Sequence, residues 1–184
     1  SCTFDKKEKY MSKLSNTVMF ACNQGGHFSQ MMALHELFGK YDTVLVTDNV
    51  HASKEKTPAL KNIGVVEHPM GMANKRNKLS KGANKERSRW QSLSGYIALI
   101  LECRQIWKKY RPAVIITTGS NIAVGLFLYG KLKGSKLIFI ETRAKVYSKT
   151  MTGKIVGKVA DKIFVQWPEM KKIYPNAEYL GTLV

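Results

Sequence analysis

The sequence predicts an α/β protein, a Rossmann-like parallel sheet with helices on both faces. Three observations carry that reading. Short apolar runs alternate with helix-like patterns along the chain. The runs are continuously apolar rather than alternating, as strands buried on both faces are. Two of them end in a glycine turn that opens a helix: Cys22-Asn23-Gln24-Gly25-Gly26-His27 and Thr118-Gly119-Ser120-Asn121. With 184 residues, 44% of them hydrophobic, the chain can bury one ordinary core. The domain is expected over residues 17–184. Residues 1–16 read as a basic N-terminal arm or an appended remnant.

Taken in order, Val18-Met19-Phe20-Ala21-Cys22 is the first strand. A helix follows over residues 28–38, with Phe28, Met31, Met32, Leu34, Leu37 and Phe38 at helical spacing. Residues 41–48 form a buried second strand, and residues 50–62 a loop with a short helix broken at Pro58. Gly64-Val65-Val66-Glu67 is a third strand. The composition then shifts. Residues 70–90 hold seven Lys or Arg and one acid, Glu86, without sustained periodicity, and read as a loop. A long helix spans residues 88–110, with Leu93, Ile97, Leu101, Ile106 and Trp107 on its apolar face; Pro112 ends it. Residues 113–117 are a strand, and Ser120 or Asn121 is the expected cap of a helix over 122–132. A strand over 136–140 leads into Glu141-Thr142-Arg143. A helix over 152–159, a strand over 162–165 and a short helix from Gln166-Trp167-Pro168 through Ile173 complete the pattern. Ligands of such sheets bind at the carboxyl ends of the strands. The turns at Gly25, Gly119 and Glu141 all fall at that edge.

Net charge narrows the partners. The formal value of +17 implies an anionic one: a nucleic acid, an anionic membrane surface or a phosphorylated substrate. No RNP, KH, helix-turn-helix or zinc signature favours nucleic acid, and none is expected to bind. No apolar run reaches the roughly 18 residues of a membrane-spanning helix, and the start has no signal-peptide core. Cys2, Cys22 and Cys103 form no CxxC pair, which suits a reduced, cytosolic chain.

The candidate chemistry gathers on the turns. Gly25 and Gly26 let a phosphate approach the backbone, where first-turn N–H groups point at it. Asp48, about twenty residues on, could instead hold the ribose of a nicotinamide cofactor. Against that, Ser29 takes the place of the third glycine of the dinucleotide pattern. His27 stands at a helix start, which disfavours an imidazolium. It is a candidate general base for a hydroxyl attacking beside a diphosphate, or simply a loop histidine. Glu141 could orient a sugar hydroxyl or act as base, and Arg143 could pair with phosphate; a local salt bridge is the plainer alternative. Ser148, Thr150 and Thr152 either bond phosphate or cap the following helix. In residues 70–90, Lys75, Arg76, Lys78 and Lys81 could meet anionic headgroups while Met72, Leu79 and Trp90 dip below them. A solvated loop is the alternative there. His35, His51 and His68 show no metal-ligand spacing, so neither metal nor cofactor is expected.

The stretch FIETRAKVYSKTMTGKIVGKVADKIFVQWPEMKKIYPNAEYLGTL, residues 139–183, resembles a known family. It is similar to the acceptor-side subunit of the two-chain N-acetylglucosamine transferase that extends dolichyl-diphosphate-N-acetylglucosamine, and to bacterial counterparts in capsule and exopolysaccharide synthesis. The patterns that agree are Glu141-Thr142-Arg143, Thr152-Gly153-Lys154, Ala160-Asp161, Val165-Gln166-Trp167, Tyr174-Pro175 and Tyr179-Leu180-Gly181. The two glycine turns fall where that family has its own. The resemblance implies the N-terminal, acceptor-binding half of a split GT-B fold. It implies a peripheral chain at the cytoplasmic membrane face, with a polyprenyl-diphosphate-sugar as acceptor. A separate partner chain would hold the UDP-sugar and meet Gly181, Thr182, Leu183 and Val184. Gly25, Gly26, Gly119, Ser120 and Arg143 would hold the acceptor diphosphate, and His27 or Glu141 would take the proton. In the family the strand end reads Glu-Ser before an aromatic residue, where this chain has Glu141-Thr142-Arg143. A non-catalytic scaffold that recruits the partner to membranes is one alternative role, and a basic nucleic-acid-binding α/β protein is the other.

Overall fold

The computed structural model describes residues 14–48, 50, 57–67 and 89–183, with side chains from residue 100 onward in the last stretch. Seven strands form one sheet: β1 (Thr17–Ala21), β2 (Asp42–Thr47), β3 (Gly64–Glu67), β4 (Val114–Thr117), β5 (Lys136–Ile140), β6 (Lys162–Val165) and β7 (Glu178–Tyr179). Their order is β3-β2-β1-β4-β5-β6-β7, and every pairing is parallel. The chain moves outward from β1 through β2 to β3, then returns to place β4 on the other side of β1. The carboxyl ends of β1 and β4 therefore flank the switch point, where a crevice forms between diverging connections.

Among the described residues, four helices, α1 (Gly26–Met32), α2 (Arg89–Tyr110), α3 (Ala123–Lys133) and α4 (Met151–Val159), cover the two faces. Successive strand residues point to opposite sides, so each strand feeds two cores. On one face Met19, Ala21, Val44, Ile115, Leu137 and Phe139 meet Trp107 of α2, Leu126 and Phe127 of α3 and Val156 of α4. The Trp107 indole keeps its polar edge satisfied there, donating to the Ser135 hydroxyl at 2.9 Å. On the other face Val18, Phe20, Leu45, Ile116 and Ile140 meet Phe28, Met31, Phe38 and Leu60. The expected parallel sheet with two apolar faces is what forms.

Some element readings are corrected. The helix expected over 28–38 stops at Met32, and the chain closes as a 3-10 turn at His35–Leu37. The tighter turn brings Phe38 into the core edge-on against Phe20, with ring centroids 4.9 Å apart. The His35 Nδ1–H takes up a carbonyl freed at the helix end, that of Met32, at 2.9 Å. Neither Ser120 nor Asn121 caps α3 with its side chain. Backbone carbonyls do that work, Ser120 O accepting from Ala123 N at 3.1 Å. The Asn121 side chain turns to α4 instead and accepts from the Thr152 hydroxyl at 2.9 Å. β7 is an edge strand that the sequence reading did not assign. Met72, Lys75, Arg76, Lys78, Leu79, Lys81 and Val184 lie outside the described residues, and Trp90 stands in the first turn of α2.

Candidate functional site

Three strand exits meet at the carboxyl edge. At the first, Cys22 N extends β1 by bonding Val46 O at 3.1 Å before the chain turns. Asp48, at the end of β2, holds that turn in shape. Its carboxylate accepts from Gln24 N at 2.8 Å and from Asn23 Nδ2 at 3.4 Å. Asp48 is thus turned onto its own protein's backbone. Gly25 has φ +95°, a conformation L side chains rarely adopt. A Cβ on Gly25 or Gly26 would meet nothing within 4 Å, so both glycines face open space.

The second exit leaves β4 through Thr117 and Thr118. The Thr117 hydroxyl donates to Ala21 O at 2.7 Å and accepts from Gly119 N at 3.2 Å, which locks the two turns side by side. His27 stitches them again. Its Nδ1 lies 2.8 Å from Thr118 O, and the Thr118 hydroxyl donates to His27 O at 2.9 Å. A carbonyl oxygen only accepts, so Nδ1 carries the proton in this contact. In the neutral imidazole the tautomer is thereby set, with Nε2 as the acceptor. Gly119, at φ +96°, lets these groups close up. A Cβ there would stand 3.4 Å from Phe139 Cε2, 3.7 Å from His27 Cε1 and 3.8 Å from Glu141 Oε1. Ser120 is buried, and its hydroxyl has no hydrogen-bond partner.

Glu141, at the third exit, is 1% exposed. Its carboxylate accepts from Thr142 N (3.1 Å), Thr150 N (3.3 Å), Thr150 Oγ1 (3.0 Å) and Tyr174 Oη (2.7 Å). Thr150 is itself the N-cap of α4, accepting from Gly153 N at 2.8 Å. Of the two expectations for Ser148, Thr150 and Thr152, helix capping is what Thr150 does. Burial, and then the Glu141 carboxylate, push the Tyr174 hydroxyl up, so it stays a donor. Arg143 is exposed beside this cluster.

A second network runs along the same edge. Gln166, just past β6, donates to Gln30 Oε1 at 2.5 Å and to Glu141 O at 3.0 Å. Gln30 donates to the Thr142 hydroxyl at 3.2 Å and accepts from Arg143 N at 3.2 Å. Gln166 also accepts from Leu183 N at 2.8 Å, which fixes the C-terminal segment. That segment, with Leu34, Leu37, Ile138, Ile140 and Phe164, walls an apolar groove of about 280 Å³. His27, Gly119, Ser120 and Glu141 are therefore gathered at one edge, whereas Gly181–Leu183 lie along the groove. Gln30, Gln166 and Tyr174 were not singled out as a site from sequence, and Thr150 was read only as a phosphate contact or helix cap. A buried polar residue directly after an apolar strand, as Gln166 is, was the available signal.

Residues 18–183 match the sequence family described as "Oligosaccharide biosynthesis protein Alg14 like". The chain belongs to the Alg14 family. It is 26% identical over 186 residues to the UDP-N-acetylglucosamine transferase subunit ALG14 of Candida albicans, covering 97% of this chain and 82% of the relative. A 96-residue stretch is 34% identical to the Schizosaccharomyces pombe subunit of the same name, covering 49% of this chain and 43% of that one. Over 82 residues it is 33% identical to the human subunit, 41% of this chain and 38% of that one. The resemblance to the N-acetylglucosamine transferase subunit read from residues 139–183 therefore holds. Among solved structures, MurG of Acinetobacter baumannii superposes with a TM-score of 0.59 at 14% identity, over 83% of this chain and 41% of MurG. At that identity the likeness concerns the fold, and it is to part of a GT-B glycosyltransferase. The Alg14-family chain thus has a Rossmann-like, GT-B-type fold and belongs to oligosaccharide biosynthesis. Among its described residues no helix is long and apolar enough to cross a membrane, and no group of three His, Cys, Asp or Glu is placed to hold a metal ion.

Proposed function

We propose that this chain is the acceptor-binding subunit of a two-chain, inverting UDP-N-acetylglucosamine transferase. It works peripherally at the cytoplasmic membrane face, in lipid-linked oligosaccharide synthesis. The relatives named as transferase subunits support the activity. The observation that carries the assignment is His27 at the switch point, its Nδ1 proton committed to Thr118 O and its Nε2 left as acceptor.

In this reading the acceptor's diphosphate lies on the open Gly25-Gly26 turn. The Gly119-Ser120 turn and Arg143 complete its surroundings, and the unpartnered Ser120 hydroxyl is a donor ready for an acceptor oxygen. The acceptor's sugar hydroxyl gives its proton to His27 Nε2 and attacks the anomeric carbon of the UDP-sugar. The new C–O bond forms as the bond to UDP breaks on the opposite side, which inverts that carbon. His27 is preferred to Glu141 as base. The Glu141 carboxylate is buried and already accepts from four donors, so its work is to tie β5, α4 and Tyr174 together. A separate chain brings the UDP-sugar and meets residues 181–184, where the apolar groove supports an interface.

The test is transfer from UDP-N-acetylglucosamine to a lipid-diphosphate-sugar by the assembled complex. His27→Ala is expected to leave assembly intact and lower turnover by roughly a hundredfold or more. Normal turnover in that variant contradicts the assignment and favours a scaffold that only recruits the partner.

A further inference from the structure

α4 presents two unlike faces. Thr152, Gly153 and Val156 are buried. Met151, Lys154, Ile155 and Lys158 are exposed, and their i, i+3, i+4, i+7 spacing puts them on one stripe. Met151 is 73% exposed, Ile155 45%, and Tyr147 in the preceding loop 80%. Residues 142–160 hold five cations, Arg143, Lys145, Lys149, Lys154 and Lys158, and no acid. Singly exposed apolar residues are ordinary, but here Met151 and Ile155 stand one helical turn apart among lysines, with Tyr147 in the loop just before them.

Position adds meaning to composition. α2 packs on α3 and α3 on α4, and the 3-10 turn Pro168–Lys172 follows on the same face of the sheet. Its first turn is held at the carboxyl edge, because Thr150 N and Oγ1 both donate to Glu141. The patch is therefore fixed to the edge that carries His27.

We propose that this face rests on an anionic bilayer. Tyr147, Met151 and Ile155 enter the boundary between headgroups and acyl chains, while Lys145, Lys154 and Lys158 meet lipid phosphates and carboxylates. The occupant follows from charge complementarity: an apolar centre, a cationic rim and no acid. The contact holds the switch point at the height where a lipid-borne diphosphate emerges, and so rests on the acceptor assignment above.

The test is binding of the whole chain to vesicles of phosphatidylcholine, alone or with about a third phosphatidylserine. Tyr147→Ser/Met151→Ser/Ile155→Ser is expected to weaken binding to the mixed vesicles at least about tenfold. Lys154→Gln and Lys158→Gln should each weaken it about fivefold and leave binding to neutral vesicles unchanged. All five positions are exposed, so thermal midpoints should match the parent. Unchanged binding to mixed vesicles in either set overturns the proposal. So does retained vesicle binding with loss of a co-purifying chain, which would make the face a protein interface. Transfer to a water-soluble short-chain acceptor separates the two ideas. It should be normal in the variants, whereas its absence in the parent complex would sink the acceptor assignment and leave the vesicle result standing.

Discussion

His27 owes its orientation to a main-chain carbonyl, Thr118 O, and not to a neighbouring side chain. Glu141 stands in a different regime. Glu141→Ala would strip four hydrogen bonds from a buried cluster and is expected to destabilise the chain by on the order of 3 kcal/mol. Tyr174→Phe removes one of those bonds and should cost about 1 kcal/mol. Because the two share a bond, the double variant should cost less than the sum in urea unfolding. A Glu141→Ala chain with its urea midpoint unchanged and its turnover abolished would restore Glu141 as the base. At this scale the sequence made the glycines, His27 and Glu141 visible as strand-end residues. It hid what Glu141 does, because its donors Thr150 and Tyr174 come from 9 and 33 residues away and only the fold joins them.

At the scale of elements, two glycines make a matched test. A Cβ on Gly153, in α4, would fall 2.5 Å from Glu141 Oε2 and 2.8 Å from Thr150 Oγ1. Gly153→Ala must therefore break the cap or the cluster, and is expected to unfold the chain at lower denaturant, before any effect on the acceptor. A Cβ on Gly26, in α1, meets nothing. Gly26→Ala should leave the stability unchanged or raise it by up to about 1 kcal/mol, yet weaken acceptor binding in equilibrium titration. Equal acceptor affinity in Gly26→Ala would argue against a diphosphate on that turn. The strands were legible because burial on both faces makes them continuous apolar runs. The end of α1 was not: Phe28 to Phe38 fits a helix locally, and the 3-10 turn that seats Phe38 against Phe20 shows only in the fold. β7 is two residues long and half charged, so its ladder position alone defines it.

The whole molecule keeps two thiols in its core. Burial, and then the Glu102 charge, push Cys103 up to about 12 from an ordinary value near 9; burial and then Asp48 raise Cys22 further. A thiol that ionises more easily in the unfolded chain stabilises the fold fully below that ordinary value. The contribution is lost as pH rises from there towards the folded value. Urea midpoints should therefore be flat with respect to these groups up to about pH 8 and fall above about pH 9, and thiol reagents should label neither Cys22 nor Cys103 in the folded chain. Rapid labelling of Cys22 or Cys103 at neutral pH, read residue by residue, would contradict that burial. The sheet order explains why one strand end proved more informative than the others. β1 and β4 are neighbours although about ninety residues separate them, so the two glycine turns become one crevice only in three dimensions. The direct measurement of the central claim is calorimetric titration of this chain alone with two ligands, a water-soluble lipid-diphosphate-N-acetylglucosamine analogue and UDP-N-acetylglucosamine. Binding of the first, weakened in Gly26→Ala, without binding of the second is the predicted result. Binding of the UDP-sugar with none of the lipid-diphosphate would contradict an acceptor-binding subunit.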